Sequence, residues 1–245
     1  MGNQTRIEWT DASWNPVTGC TKISAGCDNC YAERLTERFK NVKGHVFENG
    51  FSLTLRWERL EQPIGWKRPR MIFVNSISDL FHKHIPYNFI DHVFDTMEKS
   101  HWHTFQVLTK RTSKMQKYIK KRYQDRRVPR NIWLGASVED ANQLTRVQHL
   151  RETPASIRFL SLEPLLGAVS DISFEGIHWV IVGGESGPKA RIMKPEWPRE
   201  IRDICVNKEV PFFFKQWGGK KENSKSRLLD GEKWDEMPDV SGMTG

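Results

Sequence analysis

No stretch of this 245-residue chain reaches the roughly 18 consecutive apolar residues that a membrane helix needs. No membrane partner is therefore expected. The opening residues, MGNQTRIEWTD, carry no apolar run after a basic start and do not read as a secretory signal. Arginine stands at position 6, where a myristoylation signal needs Ser or Thr. Cysteine is scarce: three of the four fall within eleven residues, and Cys205 lies far away. A disulfide framework would spread them, whereas clustered thiols in a reducing compartment are more often metal ligands. A cytoplasmic protein is expected. No GxGxxG and no P-loop follows the first clear strand-like run, which counts against a nucleotide-binding open sheet. Internal repeats and low-complexity tracts are also absent.

Positive charge is plentiful but uneven. The formal net charge is +8, and Lys110 to Arg130 holds ten Lys or Arg against one acid, Asp125. The rest of the chain is near neutral. One basic face fits a polyanionic partner, nucleic acid or a nucleotide, and a solvated helix face is the plain alternative.

From about residue 70 the chain repeats a short apolar run, a polar tip and an amphipathic helix. The runs are Met71–Val74, Thr104–Leu108, Ile132–Ala136, Arg158–Leu162, His178–Val182 and Val210–Phe214. Between them, Phe89, Val93, Phe94 and Met97 recur at helical spacing, as do Met115, Tyr118 and Ile119. Asp140 reads as a cap for a helix with inner stripe Ala141, Leu144, Val147 and Leu150, and a helix from about Glu196 buries Trp197, Ile201, Ile204 and Cys205. Near-continuous apolar strands alternating with helices predict a parallel sheet buried on both faces. The expected fold is α/β: a complete or partial TIM-like (β/α) barrel, since nearly every run ends in polar groups that a barrel gathers at one mouth. The barrel domain is expected over 1–219, with a cysteine loop at 19–30 and a polar C-terminal extension over 220–245, anchored around Leu228 to Trp234. The first strand is expected at Ile7–Trp9 or Trp14–Val17, another at Phe51–Leu55, and a helix over Tyr31–Phe39 with Tyr31, Leu35 and Phe39 inward.

The chemistry concentrates in Cys20-x6-Cys27-x2-Cys30. Thiolates are soft donors suited to zinc or iron–sulfur clusters. Gly19 and Gly26 let the loop fold sharply, and the following helix directs its positive end toward the sulfurs. Structural zinc usually takes a fourth ligand in paired spacing, and the sequence has no second Cys pair. Three ligands leave a position open, as in a four-iron cluster with one free iron. At the other strand tips, Glu139, Glu163 and Glu185 are candidates to bind a hydroxyl, an amine or a second metal, and with Lys215 they form the candidate catalytic set. Lys110, Arg111 and Lys215 are candidates for a carboxylate or phosphate, and Lys114, Lys117, Lys120 and Lys121 extend the basic surface. Salt bridges within the mouth are the competing reading. The pairs His82-x-His84 and His101-x-His103 read as surface histidines rather than ligands.

Three clustered cysteines opening a parallel barrel resemble the radical S-adenosylmethionine (SAM) superfamily. More closely, the blocks IEWTDASWNPVTGCTKISAGCDNCYAERL, FVNSISDLFH, FQVLTKR, WLGASVED, RFLSLEPLLG, WVIVGGESGP, PFFFKQWGG and LLDGEKWDEMP resemble the phage-associated three-cysteine family of radical-SAM-like proteins. That resemblance implies a [4Fe–4S] cluster on Cys20, Cys27 and Cys30 whose open iron chelates SAM, and a reductant protein that supplies the electron for its cleavage to a radical. Asn75, Ser76, Ser78 and Asp79 are the residues placed to hold the SAM amine, with Tyr31 near the adenine. The spacing departs from the superfamily's usual three and two, Asn29 replaces the common aromatic residue, and Gly183-Gly184-Glu185 sits on a late strand. The functional expectation is a radical-SAM-type enzyme acting on nucleic acid or a nucleotide-like substrate. A zinc-stabilised, non-catalytic nucleic-acid-binding protein is the alternative, and a metallohydrolase using the three glutamates ranks third.

Overall fold

Each apolar run forms a strand whose alternate side chains serve two different layers. A computed structural model describes residues 5, 7–219 and 227–239. In chain order the strands are β1 (Ala12–Trp14), β2 (Val17–Thr18), β3 (Thr54–Leu55), β4 (Met71–Val74), β5 (Thr104–Thr109), β6 (Ile132–Ser137), β7 (Arg158–Leu162), β8 (Trp179–Gly183), β9 (Phe212–Gln216), β10 (Leu228–Leu229) and β11 (Glu232–Lys233). The helices are α1 (Tyr31–Glu37), α2 (Tyr87–Lys99), α3 (Thr112–Arg122), α4 (Thr145–Arg151) and α5 (Glu196–Asn207). Seven strands pair in the order β1-β4-β5-β6-β7-β8-β9, all parallel. β1 and β9 do not pair among the described residues, so the sheet is a half-barrel rather than a closed one.

One set of strand side chains packs outward under the helices: Ile72, Val74, Phe105, Val107, Leu134, Leu160, Val180, Val182, Phe212 and Phe214. The other set fills the concave side with aromatic rings. Trp179 meets Trp9, Trp133, Phe159 and Phe213 at ring-centroid distances of 5.7–6.2 Å. This plug lies toward the strand beginnings. Toward the strand ends the same face becomes polar: Ser137, Ser161, Glu163 and Lys215.

Some sequence expectations are corrected. The first strand is Ala12–Trp14, because its main chain is the part that pairs with β4. Val17 pairs instead with Leu55 in a small antiparallel sheet with β3. Tyr31 (49% exposed) and Leu35 (37%) are not part of the core, and α1 buries Ala32 and Thr36 instead. Ala141 lies exposed in a 3-10 turn that Asp140 caps by accepting from Asn142 N. His82 and His103 are fully buried. His103 bridges loops, with Nδ1 accepting from Arg70 N at 3.1 Å and Nε2 donating to Pro63 O at 3.1 Å. The basic segment is not one free face. Arg122 pairs with Asp91, Asp95 and Glu98 of α2, and Arg126 pairs with Glu98. Of the proposed extension, residues 220–226 and 240–245 lie outside the described residues. Leu229 is buried, and β10 and β11 form a hairpin against β9. Among the described residues, no helix is long and apolar enough to cross a membrane.

Candidate functional site

The cysteine loop lies across the ends of the strands. Gly19 leads into it with φ 78°, and a Cβ there would lie 2.3 Å from Ser52 O, so both conformation and space require glycine. Cys20 N donates to Phe51 O, and Ser78 Oγ donates to Gly19 O at 2.6 Å. A 3-10 turn, Ala25–Cys27, carries Cys27, and Cys30 sits at the start of α1. All three thiols are partly exposed, whereas Cys205 is buried in the helix layer.

The cysteine loop is tied to carboxylates at three different strand ends, beside Cys20, beside Cys27 and through Asn29, which precedes Cys30. After β4, Asp79 accepts from Arg111 Nη1 at 2.9 Å, and that nitrogen lies 3.5 Å from Cys20 Sγ. Asp79 is 6% exposed and also accepts from Thr109 Oγ1 at 2.7 Å and Lys110 N at 3.1 Å. After β6, Glu139 accepts from Ser24 Oγ at 2.7 Å, and Ser24 Oγ lies 3.9 Å from Cys27 Sγ. Lys110 and Arg146 close the charge balance on Glu139, Arg146 Nη1 at 2.8 Å. Gly26 lies so close that a Cβ there would meet Glu139 Cγ at 2.3 Å. After β8, Glu185 accepts from Asn29 Nδ2 at 2.9 Å, beside Cys30, and pairs with Arg191 at 2.6 Å.

The electrostatics follow from this packing. Burial pushes the Cys20 thiol up to about 11, against the pull of Arg111. Burial also raises Cys30. Burial works to raise Glu139, but Lys110 and Arg146 outweigh it and hold the carboxyl below the usual range. Glu185 is likewise held low against its burial, by Arg191 and Asn29. His82 is pulled down to about 4 by burial and by Arg111, and hydrogen-bonds Thr21 Oγ1 at 2.8 Å.

The predicted site residues thus gather at one end of the sheet, but with different duties from those expected. Glu139 and Glu185 hold the loop rather than stand free for a substrate. Lys110 and Arg111 are engaged in the same network. Asn75, at φ 60°, turns its Oδ1 onto Val17 N at 3.2 Å. Ser76 Oγ donates to Asn15 Oδ1 at 3.2 Å, and its carbonyl accepts from Tyr31. Glu163 and Lys215 form a further charged pair of the mouth, 2.6 Å apart and each about one-fifth exposed. Gly183 lies between them, and Tyr31 lies in the field of Glu163. Lys114 donates to His82 O and Ile85 O, so it is a structural link, while Lys117, Lys120 and Lys121 stand on the exposed face of α3.

Sequence reasoning missed Ser24, Asn29, Arg146 and Arg191. Arg146 had a weak signal, since it follows Glu139 by seven residues on the next helix. Arg191 had none, lying in an irregular loop whose course nothing local announces.

Among the described residues, no three His, Cys, Asp or Glu side chains are drawn together as ligands of one ion. The donor set is nevertheless soft and thiol-only, with a guanidinium at Cys20. That chemistry fits an anionic iron–sulfur cluster, which takes each thiolate on a different iron. No curated protein and no solved structure matches the chain. A family model described as "Protein of unknown function (DUF5131)" matches residues 4–238, nearly the whole chain, and the chain belongs to that family.

Proposed function

We propose that this protein is a cytoplasmic iron–sulfur enzyme of the radical-SAM type, with Cys20, Cys27 and Cys30 holding a [4Fe–4S] cluster and a nucleic acid or nucleotide-like molecule as substrate. The observation that carries the reading is the triple anchoring of the loop: carboxylates at three strand ends bond Arg111 beside Cys20, Ser24 beside Cys27, and Asn29, which precedes Cys30 in the chain. Preorganisation on rigid elements is what a working site requires, and a loop that served only to staple the fold would not need it. Cys20, Cys27 and Cys30 would hold the cluster, which would supply one-electron chemistry toward SAM, with a reductant protein as the electron source.

The chain's own residues do the rest. Arg111 offsets the negative charge of Cys20 and of anything bound to it. Ser78 and Asp79 hold the loop's entry, and Tyr31 shields the mouth beside Cys30. Glu163 and Lys215 stand at the opening, where a substrate hydroxyl or phosphate can replace one partner of the pair.

Anaerobic reconstitution with iron and sulfide tests the reading. The expected product is brown and carries about four irons per chain, and Cys27→Ala loses both colour and iron. Reduced protein with SAM should release 5′-deoxyadenosine. A colourless protein holding one tight zinc would overturn the reading in favour of a zinc-stabilised nucleic-acid binder. Iron without 5′-deoxyadenosine would remove SAM from it.

A further inference from the structure

At the strand-end mouth, cations meet carboxylates: Lys110 and Arg146 pair with Glu139, Arg111 with Asp79, Arg191 with Glu185 and Lys215 with Glu163. Arg34 of α1 is different. Among the described residues it forms no ion pair, and its Nη2 donates to a main-chain carbonyl, Ser186 O, at 3.1 Å. The acids beside it on α1 are engaged elsewhere. Glu33 pairs with Lys22 at 2.9 Å, and Glu37 pairs with Lys40 at 3.2 Å and accepts from Phe51 N at 2.9 Å. A guanidinium carries five N–H donors, so one carbonyl leaves most of them for another acceptor.

The backbone beneath this guanidinium sets its position. Gly187, at φ 110°, follows β8, and a Cβ there would fall on the Arg34 guanidinium. Conformation and space both call for glycine. Gly187 N donates to Gly219 O and Gly219 N to Glu185 O, each at 2.9 Å, which ties the loop after β8 to the loop after β9. Arg34 N donates to Cys30 O at 3.2 Å, so Arg34 stands one turn along α1 from the third cysteine. Tyr31, three residues earlier and so on the same side of the helix, hydrogen-bonds Ser76 O and lies in the field of Glu163. A forked cation without an acid partner among the described residues thus borders the opening in which Glu163 and Lys215 stand.

We propose that Arg34 is the phosphate-binding residue of the mouth, and that the substrate is a nucleotide, free or one unit of a nucleic-acid strand, held there by its phosphate. Guanidinium forks are matched in geometry to phosphate oxygens, and a ligand anion supplies the charge that the other mouth cations take from carboxylates. The nucleoside then lies toward Glu163 and Lys215, whose carboxylate and ammonium suit its hydroxyl groups. The assignment rests on the reading of the mouth as a substrate site and needs no cluster chemistry.

Isothermal titration calorimetry on the full chain tests it. The ligands are the four ribonucleoside monophosphates, the matching nucleosides, inorganic phosphate and a mixed-sequence single-stranded oligonucleotide. Arg34→Ala should weaken the binding of a monophosphate or of the oligonucleotide about tenfold or more, because a charge-assisted phosphate contact is lost. Nucleoside binding should not change, a split that general loosening of α1 would not give. Arg34→Lys, which keeps the charge but not the fork, should fall between. Gly187→Ala should weaken the phosphate ligands too, since its methyl group displaces the flexible end of Arg34, and circular dichroism checks that the variants fold. Binding of a monophosphate assigns a free nucleotide, and binding of the oligonucleotide alone assigns a unit of a strand. Inorganic phosphate binding as tightly as either would overturn the nucleotide assignment. Wild type that binds neither, or Arg34→Ala that binds both as wild type does, would overturn the site. Iron content and 5′-deoxyadenosine release report on the cluster and SAM separately, so either reading can fail alone.

Discussion

Glu139→Ala should be the most informative single change at the mouth. Its side chain is only 1% exposed, and it neutralises Arg146, itself 8% exposed, and Lys110 at 18%. Removing the carboxylate leaves Arg146 buried, with Ser137 O, 2.9 Å from Nη1, as its remaining acceptor among the described residues. Breaking one partner out of a buried pair typically costs about 3–5 kcal/mol. Lys110 is open enough to rehydrate, so the cost should sit near the lower end, about 3 kcal/mol. That is a large share of the roughly 5–15 kcal/mol by which domains are stable. The same change releases Ser24, which lies between Glu139 and Cys27. Urea unfolding followed by tryptophan fluorescence reads the first effect, and the alkylation rate of Cys27 in the folded protein reads the second. Ser24→Ala separates the two: it should cost only about 1 kcal/mol while still raising the Cys27 rate. A Glu139→Ala protein within about 1 kcal/mol of wild type, with an unchanged Cys27 rate, would refute the anchoring argument.

Trp179 is fully buried at the centre of the aromatic plug, and Trp179→Ala should cost about 3–5 kcal/mol in urea unfolding. Burial works to raise the pKa of Glu98, but hydrogen bonds from Arg126, Tyr123 and Arg122 outweigh it and lower the folded value. Its contribution is therefore fully present above the unfolded carboxyl pKa of about 4.3 and lost as pH falls through the lower folded value. Glu98→Gln should flatten the acid limb of a stability-versus-pH curve below about pH 4.3, and an unchanged limb would contradict the pairing. In native protein, alkylation followed by mass spectrometry should label Cys20, Cys27 and Cys30 and spare Cys205. Burial pushes the Cys205 thiol up to about 12 and hides it in the helix layer.

Most of the barrel-forming elements were legible in the sequence because their signal is local. Runs such as Ile132–Ala136 alternate between two buried layers, so they carry a strand's composition wherever they are placed. The shift of β9 to Phe212–Gln216 shows the limit: an apolar run does not say where its register begins. Tyr31 and Leu35 were misread because a helical stripe shows only that one face differs from another, not which face meets the core. His82 and His103 were taken for surface residues because a polar side chain in a loop gives no local sign that neighbouring loops will enclose it.

The sequence by itself determined that three thiols sit on one loop and that polar groups end the strands, since both are properties of spacing along the chain. Only the tertiary structure decided what those polar groups do. Ser24 meets Glu139 across 115 residues, and Asn29 meets Glu185 across 156. Those contacts exist because parallel strands deliver successive tips to the same end of a half-barrel, where each buried carboxylate takes the nearest donor or cation that can satisfy it.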